Sequence, residues 1–118
     1  MIVVVDDDET VRNATQSLVR ALGYRASTVA SADEFLKSEQ VHDTSCLITD
    51  VQMPGLTGID LQDHLIAQGH RIPIIFITGF PEDGVRARAL KAEAVGFLSK
   101  PCNVNQLIGC LDTALKAS

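Results

Sequence analysis

Nothing in this chain approaches the roughly 20 consecutive apolar residues that a membrane-crossing helix needs, and its acidic opening lacks the basic segment of a secretory signal. Cysteine is scarce. Cys46, Cys102 and Cys110 are odd in number and form no CxxC pair, so they point neither to a disulfide framework nor to a zinc knuckle. Reduced thiols in the cytoplasm are the expectation. The ten Lys and Arg residues are scattered, and with a net charge of −5 the basic patch of a nucleic-acid-binding module is missing. No repeat, low-complexity tract or linker breaks the 118 residues, so one domain over 1–118 is expected. That length, with 46% apolar and 21% charged residues, suffices to enclose one core without disulfides or a structural metal.

What is present alternates between two kinds of segment. Short runs rich in Ile and Val at 2–5, 46–49, 72–77 and 95–98 are bounded by turn residues and read as strands buried on both faces. A weaker run at 25–29 reads as a strand nearer an edge. Between them lie segments with helical spacing: Val11, Ala14, Leu18, Ala21 and Leu22 before Gly23, and Val104, Leu107, Ile108, Leu111 and Leu115 at the end. Ser31 with Glu34, Thr57 with Asp60, and Asn103 with Gln106 have the spacing of capping boxes, and Gly69 is placed to stop the third helix. The fourth helix, 81–94, carries Gly84 and several alanines; its thin apolar face makes it the segment expected to be most mobile. Five β-α units in succession imply an α/β fold whose parallel sheet is covered on both faces.

In such a sheet, ligands sit at the carboxyl ends of the strands. The first strand ends at Asp6, Asp7 and Asp8, the third at Asp50, the fourth at Thr78, and the fifth runs into Lys100. Taken singly, each has a plain structural reading, and Asp8 reads best as an entry to the first helix. Taken together, Asp6, Asp7 and Asp50 offer the oxygen ligands that a hard cation such as Mg²⁺ takes, which relieves the repulsion among adjacent carboxylates. Asp50 can then act as a carboxylate nucleophile toward phosphorus, with the Thr78 hydroxyl and the Lys100 ammonium donating to phosphoryl oxygens.

Those residues lie in stretches that carry a resemblance: VVVDDD at 3–8, LITDVQMPGLTG at 47–58, IFITG at 75–79 and GFLSKP at 96–101. In that order the chain resembles a response-regulator receiver domain of two-component signalling, over its whole length, and most of all the nitrogen-fixation transcription regulators. The resemblance implies a flavodoxin-like, doubly wound (βα)5 fold with strand order 2-1-3-4-5. It implies Asp50 as phosphoacceptor, Asp7 as direct Mg²⁺ ligand, Asp6 as a ligand through water, and the backbone carbonyl of Gln52 as a further ligand. Thr78 and Lys100 would bind the phosphoryl group, a cis Lys100–Pro101 bond would aim the lysine, and Thr78 with Phe97 would form the switch. The implied partners are a sensor histidine kinase, a C-terminal helix-turn-helix output domain and a phosphorylation-dependent second copy, with transcription control as the output, in the cytoplasm. The domain itself would touch neither nucleic acid nor membrane.

A Mg²⁺-dependent phosphatase working through an aspartyl phosphate is the rival enzyme. It would typically place a second carboxylate two residues after the nucleophile, where this chain has Gln52. A pseudo-receiver that serves only as a docking surface is the other rival, and the filled site positions argue against it. His42, His64 and His70 are isolated, without metal spacing, and read as surface residues. Cys102 reads as a buried, inert thiol, and Met53 and Pro54 as shaping the loop after Asp50.

Overall fold

The first strand, β1 (Ile2–Val5), buries all four of its side chains, and alternation divides them between two apolar clusters, Val3 and Val5 in one and Ile2 and Val4 in the other. The same division recurs in β3 (Cys46–Asp50) and β4 (Ile74–Thr78), where Leu47 and Phe76 face one cluster and Ile48 and Ile75 the other. A sheet so divided needs cover on both faces. In the computed structural model, which describes residues 1–100 and 103–116, helices supply it. One face is covered by α2 (Ala32–Lys37), α3 (Gly58–Ala67) and α4 (Asp83–Lys91), through Phe35, Leu61, Leu65 and Ala89. The other is covered by α1 (Glu9–Ala21) and α5 (Val104–Lys116), through Val19, Leu107, Leu111 and Ala114.

With β2 (Ala26–Val29) and β5 (Gly96–Ser99) the sheet has five parallel strands in the order β2-β1-β3-β4-β5. The fold is flavodoxin-like, and the chain reverses its direction of winding between β1 and β3, which puts a crevice at their carboxyl ends. Two strand expectations are corrected. The segment 95–98 reads as buried on both faces, yet β5 is an edge strand bonded only to β4, with Phe97 half-buried and Ser99 exposed. The fourth strand begins at Ile74, not at 72, because Pro73 has no N–H for the ladder; its carbonyl still accepts from Leu47.

The helix starts follow local chemistry. At α3 the capping box is complete: Asp60 N–H donates to Thr57 Oγ1 at 3.1 Å and Thr57 N–H to Asp60 Oδ2 at 3.1 Å. These bonds hold the Asp60 carboxyl below its ordinary value. At α2 only half of the box forms. Ser31 Oγ accepts from Glu34 N–H at 3.0 Å, but the Glu34 carboxylate reaches one residue further back, to Ala30 N–H. The second helix stops after six residues and a 3₁₀ turn at Glu39–Asp43 follows. Asn103 Oδ1 accepts from Gln106 N–H at 3.1 Å at the start of α5.

The fourth helix presents a thin apolar face. It buries only Ala89, and Glu82 at its start makes no capping bond. Its far end is held from α3, where Gln62 Nε2 donates to the carbonyls of Ala89 and Ala92. Helices α1 and α3 are followed by Gly23 and Gly69 in the left-handed region, whereas α4 is followed by Glu93 at φ 70°.

Candidate functional site

Asp6 is the first residue past β1, and Asp50 is the last residue of β3. Both are nearly buried, at 4% and 8% exposure, which is costly for charged carboxylates unless they are paired. The partner is Lys100, one residue beyond β5, whose Nζ donates to Asp6 Oδ2 at 3.1 Å and to Asp50 Oδ2 at 2.9 Å. The remaining oxygens are held by backbone amides: Asp8 N–H donates to Asp6 Oδ1 at 2.9 Å and Gln52 N–H to Asp50 Oδ1 at 3.2 Å. Arg12 steadies the same turn, with Nη1 donating to the Asp6 carbonyl at 2.8 Å.

Electrostatics follow from this geometry. Burial pushes the Asp6 carboxyl above its ordinary value, and the Asp8 amide and Lys100 only partly oppose it. For Lys100, burial alone would lower the value; the two carboxylates outweigh it and raise it above the ordinary lysine.

Asp7 is exposed beside this pair, and one oxygen from each of Asp6, Asp7 and Asp50 lies within 4.8 Å of the others. Three carboxylates at that spacing, two of them nearly buried, are the donor set of a hard divalent cation. Asp8 has a different role, because its Oδ1 accepts from Val11 N–H at 3.1 Å and caps α1. The three adjacent aspartates thus divide into two members of the acidic cluster and a helix cap.

Thr78, at the end of β4, is 1% exposed. Its Oγ1 accepts from Phe80 N–H at 3.1 Å, and its carbonyl accepts from Lys100 N–H at 2.8 Å. Phe97 pairs in register with Phe76, two residues before Thr78, and the two rings are tilted 6.1 Å apart. Phe97 packs against the cluster on that face. Met53 is buried in the same cluster and Pro54 is exposed. Pro101 and Cys102 lie outside the described residues, and with them the expectations of a cis bond and a buried thiol.

Gly58 is a positioning residue that the sequence reading passed over. It opens α3, its N–H donates to the Val51 carbonyl at 2.9 Å, and a Cβ there would run into the Asp50 backbone carbonyl and approach Phe76. A glycine at the first position of a capped helix, where most residues form helix better, was the available signal.

The histidines also need correction. His42 and His64 are exposed and His70 is half-buried, but His42 and His70 are not isolated: their rings meet edge to face, 5.7 Å apart.

A doubly wound parallel sheet with three carboxylates and a lysine gathered at its carboxyl edge defines a flavodoxin-like protein with an acidic site at the crevice. Residues 2–112 match the response regulator receiver domain family. The chain is 42% identical over 116 residues to the response regulator protein TmoT of Ectopseudomonas mendocina, covering 98% of this chain and 53% of that protein. It is 33% identical over 115 residues to the transcriptional regulatory protein FixJ of Azorhizobium caulinodans, covering 98% of this chain and 54% of that one. Among solved structures, the response regulator StyR superposes with a TM-score of 0.90 at 37% identity, over 98% of this chain and 59% of that chain. The chain belongs to the response regulator receiver family, a signalling rather than a catalytic family. It spans about half the length of the curated relatives it matches. Among the described residues, no helix is long and apolar enough to cross a membrane.

Proposed function

We propose that this receiver unit, residues 1–118, accepts a phosphoryl group on Asp50 from the phosphohistidine of a sensor histidine kinase in the cytoplasm. The observation that carries the reading is Lys100 bridging Asp6 and Asp50 beside Asp7. Asp7 and Asp50 would hold Mg²⁺ directly, Asp6 through water, and Gln52 through its backbone carbonyl. Bound there, Mg²⁺ supplies positive charge to the phosphoryl oxygens as they move from donor to acceptor.

An Asp50 carboxylate oxygen attacks phosphorus, the P–N bond of the donor breaks, and its electron pair returns to the imidazole, which takes up a proton. The Gln52 amide, already bonded to Oδ1, fixes the rotamer and leaves the other oxygen to react. Lys100 passes from that oxygen to the new phosphoryl group, and the Thr78 hydroxyl donates to another of its oxygens. Moving Thr78 disturbs its bond with the Phe80 amide at the approach to α4. Phe97 turns toward the space Thr78 leaves, and the surface of α4, β5 and α5 changes. That surface would dock a second phosphorylated copy or a helix-turn-helix output domain and so control transcription, as the name of FixJ says of that protein.

Incubation with a small phosphodonor and Mg²⁺, followed by intact mass, tests the proposal. The expected result is one added phosphoryl group of about 80 Da, base-labile, lost in Asp50→Asn and in EDTA. Catalytic turnover of many substrates would favour the phosphatase instead, and an Asp50→Asn protein that still gains the group removes the reading.

A further inference from the structure

The 3₁₀ turn at Glu39–Asp43 leads into β3, and the loop after α3 leads into β4, so both lie at the amino edge of the sheet. This is the opposite end from Asp6 and Asp50. Here the fold sets His42 against His70, with rings 5.7 Å apart and inclined at 65°. Residues distant in sequence thus bring two imidazoles together, His42 exposed and His70 half-buried.

Imidazole nitrogen is a borderline donor that suits Zn²⁺, Ni²⁺ and Cu²⁺, whereas carboxylate oxygen suits Mg²⁺. Among the described residues, the only group of three or more His, Cys, Asp or Glu close enough to share one ion is Asp6, Asp7 and Asp50. Two protein ligands therefore leave the remaining positions to solvent, which makes the site open and exchangeable.

We infer that His42 and His70 form a second metal site, for a borderline divalent transition metal, at the end of the sheet remote from the phosphoacceptor. Binding there ties the 3₁₀ turn to the loop before β4 through one ion. The site does not depend on the proposed phosphorylation.

Ni²⁺ is the probe, titrated calorimetrically into the protein in excess Mg²⁺ so that the acidic site is filled. Disturbing a partner of a metal ligand already costs about tenfold in affinity, so His42→Ala and His70→Ala should each weaken Ni²⁺ binding at least that much. His64→Ala, which alters the exposed histidine of α3, should leave it unchanged. Both rings lie at the surface, and unchanged thermal unfolding of the two variants without metal verifies their folding. No Ni²⁺ binding by the native protein, or binding that His42→Ala and His70→Ala leave intact, would overturn the site and reduce the pair to edge-to-face ring packing.

Discussion

Gly58 lies directly against Asp50: its N–H is bonded one residue on, to the Val51 carbonyl, and the place its missing side chain would fill is taken by the Asp50 backbone carbonyl. The start of α3 is thus seated on the residue proposed to accept phosphate.

Gly58→Ala must therefore either move α3 or move Asp50. Overpacking of this kind costs about 1–3 kcal/mol, and the expected result is lower stability with slower phosphorylation. Urea unfolding and the rate of phosphoryl uptake measure the two. Unaltered values in both would show that the helix start yields freely.

Lys100 is the charge that makes two nearly buried carboxylates tolerable, so Lys100→Met should leave Asp6 and Asp50 facing each other uncompensated. Removing one partner of a fully buried pair costs about 3–5 kcal/mol; Lys100 retains 22% side-chain exposure, so a smaller loss is expected. Mg²⁺ should restore part of it, read as a shift in the urea midpoint with and without the ion. The pH dependence has a definite sign. Because the folded value lies above the ordinary 10.5, the contribution of Lys100 is complete below 10.5 and lost as pH rises through the folded value. The stability difference between native protein and Lys100→Met should accordingly shrink in that alkaline window, and again in acid as the Asp6 carboxylate is protonated.

Glu93 occupies the left-handed position after α4 that glycine occupies after α1 and α3. A side chain there costs about 1–2 kcal/mol, and a carboxylate at the negative end of a helix adds to the cost. Glu93→Gly should raise stability by about 1 kcal/mol, seen as a higher thermal midpoint. A lower midpoint would mean that the carboxylate makes a compensating contact.

Gly96 in β5 lies beneath Cys110 of α5, whose Sγ would be 2.5 Å from a Cβ at that glycine. Gly96→Ala should cost about 1–3 kcal/mol, and adding Cys110→Ala should recover much of it, because the two positions share one space. Additive losses in the double variant would place the strain elsewhere. The Cys110 thiol is pushed up by burial, and Cys46 on the same side of the sheet is pushed up to about 12, so both thiols are poor nucleophiles.

Much of this molecule could be read along the chain because most of its strands are runs of Ile and Val and the starts of α1, α3 and α5 carry a capping side chain in sequence. The meeting of Asp6, Asp7 and Asp50 was legible from one rule about strand ends. What escaped was set by packing between distant segments. No local pattern shows that β5 is an edge, that His42 meets His70, or that Gln62 on α3 holds the last carbonyls of α4. Glu93 was hidden for the opposite reason, since a left-handed residue that is not glycine gives no compositional sign.

The bond between Lys100 and Asp6 joins residues 94 positions apart. During synthesis the aspartates of the first turn leave the ribosome early, and the lysine that completes their arrangement follows only after β2, β3, β4 and β5. A prematurely terminated product lacking β5 would display every acidic residue of the site and still lack the cation that sets their geometry. The geometry of the acidic cluster is thus set only once the fifth strand has joined the sheet.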